Sequence, residues 1–177
     1  MALRNVVTEG DPILRKISRP VKEVNDHIKE IMEDMLETMR ESNGVGIAGP
    51  QVGIMRRIFV AEPNPGAEEE MVYFMINPEI YETEGEIEDE EGCLSVPGYL
   101  GTVTRPEKIK MRALDLDGNM QEYEFEGFEA RVMCHEYDHL DGILYTDKAT
   151  GIRLRSEEPE EEEFEEDYEE DQQVPEE

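Results

Sequence analysis

The chain has 177 residues, a length that suits a single domain with a substantial hydrophobic core. Its 46 acidic and 17 basic residues give a net charge of −29, which argues against direct binding of nucleic acid. No signal peptide and no apolar run of membrane-spanning length is visible, so we expect a cytoplasmic protein. In that reducing setting, Cys93 and Cys134 are expected to be ligands, nucleophiles or core residues rather than disulfide partners.

The first part of the chain predicts one helix between irregular segments. Residues 3–21 contain Gly-Asp-Pro and Arg-Pro turns, and we expect a loose arm wrapped on the domain. Asn25 or Asp26 can cap a helix that runs to about Glu41, and its Met-rich apolar stripe predicts core packing. Four glycines and a proline within residues 44–53 exclude a regular helix or a central strand there.

The middle of the chain predicts short strands. They cover residues 58–61, 71–77, 79–86, 103–105, 108–114 and 121–126. The second and third are predicted to meet at Asn77-Pro78, and Asp117-Gly118 is predicted to form the hairpin turn between the last two. Residues 63–70 predict an exposed loop.

Residues 128–142 predict a helix that carries two candidate metal ligands. The helix contains His135-Glu136-Tyr137-Asp138-His139, and histidines four residues apart share one face, so both imidazoles can reach the same ion. Glu136 follows the first histidine and is suited to take the proton of a metal-bound water. Apolar residues recur on the same face, so the metal is expected at the edge of the core. Cys134 adjoins this face without lying on it and is predicted to be a packing residue.

A third ligand is expected from elsewhere, since no residue downstream of the helix stands at the spacing of a zinc-protease ligand. Cys93 lies between small residues in a segment that we expect to be a loop able to bend toward the helix. One thiolate and two imidazoles suit Zn²⁺ or Fe²⁺ and leave a fourth position for water, whose pKa the ion lowers. Gln51 and the backbone N–H of Leu94 can receive a developing oxyanion. These parts predict a metal-assisted hydrolase of an amide-like carbonyl.

Three ordered motifs resemble those of the peptide deformylases. Residues 44–51 resemble the first motif of that family, Glu91–Ser95 match its E-G-C-L-S motif, and His135–His139 match its H-E-x-D-H motif. Residues 10–15 resemble its N-terminal segment, and the resemblance covers about residues 4–148. It implies an α+β fold in which mixed antiparallel sheets surround a central metal-binding helix. The reaction it implies is the removal of formate from N-formylmethionine at the start of newly synthesised polypeptides.

The resemblance also implies roles for individual residues. The metal ligands would be Cys93, His135 and His139. The ion would be Fe²⁺, with Zn²⁺, Ni²⁺ or Co²⁺ able to replace it. Glu136 would shuttle the proton, while Gln51 and Leu94 would bind the formyl oxygen. The residues that would contact the extended peptide are Val45, Gly46, Gly92, Phe128 and Val132. The implied partners are N-formylmethionyl peptides, with a transient ribosome contact.

Two other hypotheses stay open on the residues alone. A zinc endopeptidase would share the two helical histidines, but the upstream cysteine and the missing downstream ligand disfavour it. A binding protein with a purely structural metal site is disfavoured by Glu136 and Gln51, because such a site needs neither residue.

The chain ends in an acidic segment. Residues 157–177 contain 14 acidic residues and no Lys or Arg. Too few apolar residues are present there to pack against a core, so the composition predicts a disordered tail over residues 156–177. The catalytic domain would then cover residues 1–155.

Overall fold

A computed structural model of the protein describes residues 2–157, so the predicted acidic tail lies outside the described part except for its first two residues. Helix α1 spans Asp26–Glu41, and the Asn25 side chain caps it by accepting a hydrogen bond from the Ile28 N–H. Helix α2 spans Gly127–Leu140. Both helices were predicted to within two residues. Neither helix within residues 2–157 has the length and apolar character of a membrane-spanning segment.

Within residues 2–157, eight strands form two antiparallel sheets. In chain order they are β1 (Gly46–Ala48), β2 (Ile58–Ala61), β3 (Tyr73–Glu84), β4 (Ile87–Cys93), β5 (Val96–Arg105), β6 (Lys108–Leu114), β7 (Met120–Glu126) and β8 (Thr150–Leu154). The larger sheet has the order β1-β2-β3-β6-β7, and the smaller sheet has the order β4-β5-β8. Together with the central helix α2, these sheets confirm the predicted α+β fold.

The larger sheet is covered by one helix on each face. Along β2, Ile58 and Val60 pack with the apolar stripe of α1, whereas Phe59 and Ala61 pack with α2. Successive side chains of a strand point to opposite faces, which explains why every residue of β2 is buried. Helix α2 is therefore enclosed along most of its length, and the histidines that it carries lie inside the molecule.

The N-terminal arm joins the parts of the molecule that surround α2. The Val7 N–H donates to the Gln51 carbonyl oxygen at 2.7 Å, and the Glu9 N–H donates to the Ser95 carbonyl oxygen at 2.8 Å. A short 3₁₀ helix at Pro12–Arg15 then packs Leu14 into a small core beneath the three-stranded sheet. The arm is wrapped on the domain as predicted, but these hydrogen bonds hold it in place rather than leaving it loose.

The glycine-rich residues 44–53 contain a three-residue edge strand and a 3₁₀ helix, which agrees with the predicted exclusion of a regular helix and a central strand. Two local predictions were wrong. Strand β3 runs through Asn77-Pro78 without a break, because Asn77 adopts a positive φ of 50° that asparagine tolerates, and the register shifts there. Cys93 is the last residue of β4 and not part of a flexible loop, so its position is fixed by pairing with Val96.

Candidate active site

Three candidate ligand atoms converge where the end of β4 meets α2. The sulfur of Cys93 and one ring nitrogen each of His135 and His139 all lie within 4.8 Å of one another. Cys93 Sγ is 3.4 Å from His139 Nε2. The two histidines are buried, as expected for a site at the edge of the core. Cys134, also on α2, is packed in the core, where burial raises the pKa of its thiol to about 11.

Two residues of the E-G-C-L-S motif extend from β4 toward α2 because of the geometry of the strand. Glu91 and Cys93 are two residues apart on β4, so both side chains leave the strand on one face. That face meets α2, where Cys93 reaches the histidine pair and Glu91 reaches the opposite nitrogen of His135. The register of the β4–β5 pair shifts between Glu91 and Cys93, close to the turn of this hairpin.

Glu91 orients the first histidine through a hydrogen bond of 2.8 Å between its Oε1 and His135 Nδ1. Burial alone would raise the pKa of Glu91, but hydrogen bonds from Arg105 and His135 hold its pKa far below the usual range. The ionised carboxylate can only accept, so Nδ1 carries the proton and donates it. That leaves the lone pair of His135 Nε2 for a metal ion, an arrangement typical of metal-binding histidines.

Two buried arginines neutralise Glu91. Arg105 binds both carboxylate oxygens at 2.9 Å, and Arg131 of α2 binds Oε2 at 2.6 Å. Arg105 also donates to Asp138 at 2.6 Å, and these acidic partners raise its pKa despite the opposing effect of burial. No role was predicted from the sequence for Glu91, Arg105, Arg131 or Asp138. Position within the two motifs was the one available signal for Glu91 and Asp138, whereas Arg105 and Arg131 lie outside both motifs.

Glu136 is enclosed beside the ligand cluster. Its Oε1 lies 3.9 Å from His135 Nε2, and its Oε2 has no hydrogen-bond partner among residues 2–157. Burial raises the pKa of this carboxyl to about 7. Space for it depends on Gly46, because a Cβ there would stand 2.6 Å from Glu136 Oε1. The glycine of the first motif therefore leaves room for the carboxylate of the third.

Gln51 presents its amide nitrogen to the cluster. Its Oε1 accepts a hydrogen bond from the Ala48 N–H at 2.9 Å, which fixes the orientation of the amide. The nitrogen then points the other way, 3.1 Å from Ser95 Oγ and 3.5 Å from Cys93 Sγ. Gln51 is 1% exposed, so this N–H₂ group is held rigidly beside the ligand sulfur.

An open cleft of about 520 Å³ leads to these groups. The residues expected from the sequence that line it are Val45, Gly46, Gln51, Gly92, Cys93, Leu94, Phe128, Val132, His135 and Glu136. Val132 is buried in its wall, whereas Phe128 is 52% exposed and stands at the rim. Arg131 and Arg155 also line the cleft, and the sequence analysis had named neither.

Comparisons with known proteins agree with this geometry. The family model described as polypeptide deformylase matches residues 3–155. Peptide deformylase 1 of Clostridium perfringens is 54% identical over 147 residues, covering 83% of this chain and 98% of that protein. Peptide deformylase of Symbiobacterium thermophilum is 47% identical over 163 residues, covering 92% of this chain and 74% of that protein.

Solved structures show the same fold. The crystal structure of peptide deformylase from Thermotoga maritima superposes with a TM-score of 0.80 at 39% identity, over 85% of this chain and 99% of the other. That of Ehrlichia chaffeensis peptide deformylase, in complex with actinonin, gives a TM-score of 0.81 at 35% identity, over 85% and 91% of the two chains.

The fold and the Cys-His-His cluster, with its two buried histidines, define a metal-dependent hydrolase. The chain belongs to the polypeptide deformylase family, as its motifs indicated. It removes the formyl group from the N-terminal N-formylmethionine of newly synthesised polypeptides and releases formate.

Proposed function

We propose that Cys93, His135 and His139 bind one divalent metal ion and that Glu136 moves the proton during deformylation. The observation that carries this proposal is the convergence of the three ligand atoms within 4.8 Å beside a buried carboxylate. The donor set fits a metal ion, because Glu91 already occupies the far nitrogen of His135 and leaves the near one for a ligand bond.

The bound ion is Fe²⁺ in this proposal, with Zn²⁺, Ni²⁺ or Co²⁺ able to replace it. A thiolate and two imidazoles suit these borderline-soft ions better than Mg²⁺ or Ca²⁺, which prefer oxygen ligands. When bound, the ion would act as a Lewis acid that polarises the formyl carbonyl and the attacking water. With Fe²⁺ in place, we expect activity to fade in air.

Glu136 takes a proton from the attacking water and returns it to the amine of methionine as the amide bond breaks. Two features support this role. Its Oε2 has no hydrogen-bond partner among the described residues, so it is available to a water molecule, and its Oε1 faces the ligand cluster. The missing side chain of Gly46 leaves the space that this carboxylate occupies.

Gln51 and the backbone N–H of Leu94 bind the formyl oxygen. As negative charge develops on that oxygen, a fixed amide N–H donor stabilises it without having to reorganise. Gln51 meets this requirement, since its amide orientation is set by Ala48 and its nitrogen lies next to Cys93 Sγ. Leu94 directly follows Cys93 and lines the same cleft.

The cleft binds the peptide in an extended conformation. Val45, Gly46 and Gly92 contact its backbone. Val132 and Phe128 contact the methionine side chain. The apolar surface that they contribute suits a thioether better than a charged or polar side chain.

The reaction takes place in the cytoplasm, where new polypeptides emerge from the ribosome. Contact with the ribosome is transient in this proposal. A net charge of −29 repels ribosomal RNA and so disfavours a lasting attachment.

The test is a formate-release assay on formyl-Met-Ala-Ser, with enzyme purified and loaded with Fe²⁺ without oxygen. We expect Glu136→Gln to retain the metal and to lose turnover by roughly a hundredfold or more, the size typical of a lost general base. Glu129→Gln is the control, because it removes a half-buried carboxylate from the first turn of the same helix, outside the cleft. No formate from the metal-loaded wild type, or near wild-type turnover by Glu136→Gln, would contradict the proposal.

A further inference from the structure

The substrate cleft contains a positively charged side chain that has no role in the proposed deformylation chemistry. Arg155 follows β8 and lines the cleft together with Gly92 and Leu94. Its terminal nitrogen lies 3.0 Å from the position that a Cβ on Gly92 would occupy. The glycine in the E-G-C-L-S motif therefore lets the guanidinium lie directly against the β4 backbone.

The sheet register explains how a residue so late in the chain reaches the cleft. In the antiparallel pair of β5 and β8, Tyr99 stands opposite Leu154, so the next step along each strand brings Arg155 toward Gly98. Gly98 also lines the cleft, a few residues after Cys93 and close to the turn of the β4–β5 hairpin. Arg155 thus stands at the mouth of the cleft, away from the enclosed carboxylate of Glu136.

Apart from Glu136, the other charged groups in the cleft are already matched. Glu91 is bound by two arginines, one of which is Arg131, and Glu90 is bound by Arg153 at 2.6 Å. Among residues 2–156, no carboxylate lies within ion-pairing distance of Arg155. Its positive charge therefore lies in the cleft that the peptide would occupy.

We propose that Arg155 is a specificity residue that binds a carboxylate of the peptide just downstream of methionine. This inference rests on the proposed function of the cleft. A guanidinium pairs with a carboxylate through two parallel N–H donors, a geometry that an ammonium cannot reproduce. On a chain with a net charge of −29, an acidic peptide would otherwise be repelled, so a local cation matters for its binding.

The carboxylate has two sources, the free C-terminus of a short peptide and an Asp side chain of a nascent chain. Two peptide pairs distinguish them. One pair is formyl-Met-Ala-Ser with a free or an amidated C-terminus, and the other is amidated formyl-Met-Ala-Asp or formyl-Met-Ala-Asn. We expect wild-type kcat/KM to be about three- to fivefold higher for the charged member of at least one pair, the size typical of an exposed ion pair.

Arg155→Gln should abolish this preference, and Arg155→Glu should reverse it. The change should appear in KM while kcat stays constant, because Arg155 does not touch the reacting atoms. Raising the salt concentration from roughly 0.05 M to 0.5 M should weaken the wild-type preference by screening the pair. Lys22→Gln is the matched control, since it removes one exposed positive charge outside the cleft and should leave the preference intact.

Equal kcat/KM for the charged and uncharged members of both pairs would overturn the role of Arg155. A preference that survives Arg155→Gln would overturn it as well. Either result is distinguishable from failure of the proposed function, in which the metal-loaded wild type would release no formate from any of the four peptides.

Discussion

At the scale of single residues, the motifs identify the residues that carry out the chemistry but not the residues that position them. His135, Glu136 and His139 could be found because their relation is local, set by the 3.6-residue turn of one helix. Cys93 was found by the chemistry that a third ligand requires. The pairing of Glu91 with Arg105 could not be predicted, because the two residues lie on different strands. In addition, the order of polar and apolar residues along these strands does not indicate that either side chain is buried.

Glu91 should be needed for metal affinity even though it is not a ligand. In Glu91→Gln the amide accepts from His135 poorly and leaves Arg131 without a buried counter-charge and Arg105 with Asp138 alone. We expect metal affinity to fall by about 10- to 100-fold. The free energy of unfolding should fall by roughly 3–5 kcal/mol.

Metal titration and chemical denaturation of Glu91→Gln measure these effects. Glu88→Gln is the control, since it changes an exposed carboxylate on the same strand. Unchanged metal affinity in Glu91→Gln would show that His135 does not need this orientation.

At the scale of secondary-structure elements, predictions succeeded where local chemistry decides the structure. Helix α1 could be predicted because Asn25 caps it and an apolar stripe recurs along it. Strands β4 and β8 were missed. Much of β4 is acidic, and it is a strand because β5 pairs with it, not because its residues favour one. Continuation of β3 through Asn77 was missed because the Asn77 side chain bonds both backbone groups of Val21, a contact distant in sequence.

The contact between the N-terminal arm and α1 should weaken in acid. Asp34 of α1 accepts a hydrogen bond from the Ala2 N–H at 2.8 Å and forms an ion pair with Arg4, and these donors lower its pKa. A lowered folded-state pKa means that the stabilisation is complete above the unfolded-state pKa and is lost as the pH falls through the folded-state value. Asp34→Asn should therefore lower the free energy of unfolding at pH 7 by about 1 kcal/mol.

Thermal melts across the pH range measure this contribution. The difference in Tm between the wild type and Asp34→Asn should be full above about pH 5 and should shrink as the pH falls below the ordinary Asp value of about 3.9. Glu33→Gln makes the same chemical change at an exposed neighbour on α1 and should have little effect. A difference that persists unchanged in acid would mean that the ionised form of Asp34 is not what holds the arm.

At the scale of the whole molecule, charge and catalysis are separated along the chain. All of the candidate catalytic and metal-binding residues lie between Gln51 and His139, within the residues matched by the family model. The concentrated acidic segment follows them, with 14 carboxylates over residues 157–177 and no basic residue. Composition alone predicts that this segment contributes to long-range repulsion and not to the site.

Removal of residues 158–177 should leave turnover of a short formyl peptide nearly unchanged. Because the removed carboxylates repel polyanions, binding to ribosomes should if anything strengthen at low salt. Formate release and ribosome co-sedimentation measure the two effects. A full-length variant in which the Asp and Glu residues of this segment are changed to Asn and Gln distinguishes the effect of charge from the effect of chain length. Loss of activity or of ribosome binding on truncation would show that the segment contributes to folding or to docking.

The central claim is that one thiolate and two imidazoles hold a single metal ion, and metal content per chain tests it most directly. The protein offers a matched pair, because Cys93 faces the histidines whereas Cys134 packs in the core one residue before His135. Elemental analysis should find one ion per chain in the wild type and in Cys134→Ala, and little or none in Cys93→Ala, His135→Ala and His139→Ala. Full metal content in Cys93→Ala, with its fold intact by circular dichroism, would contradict the claim.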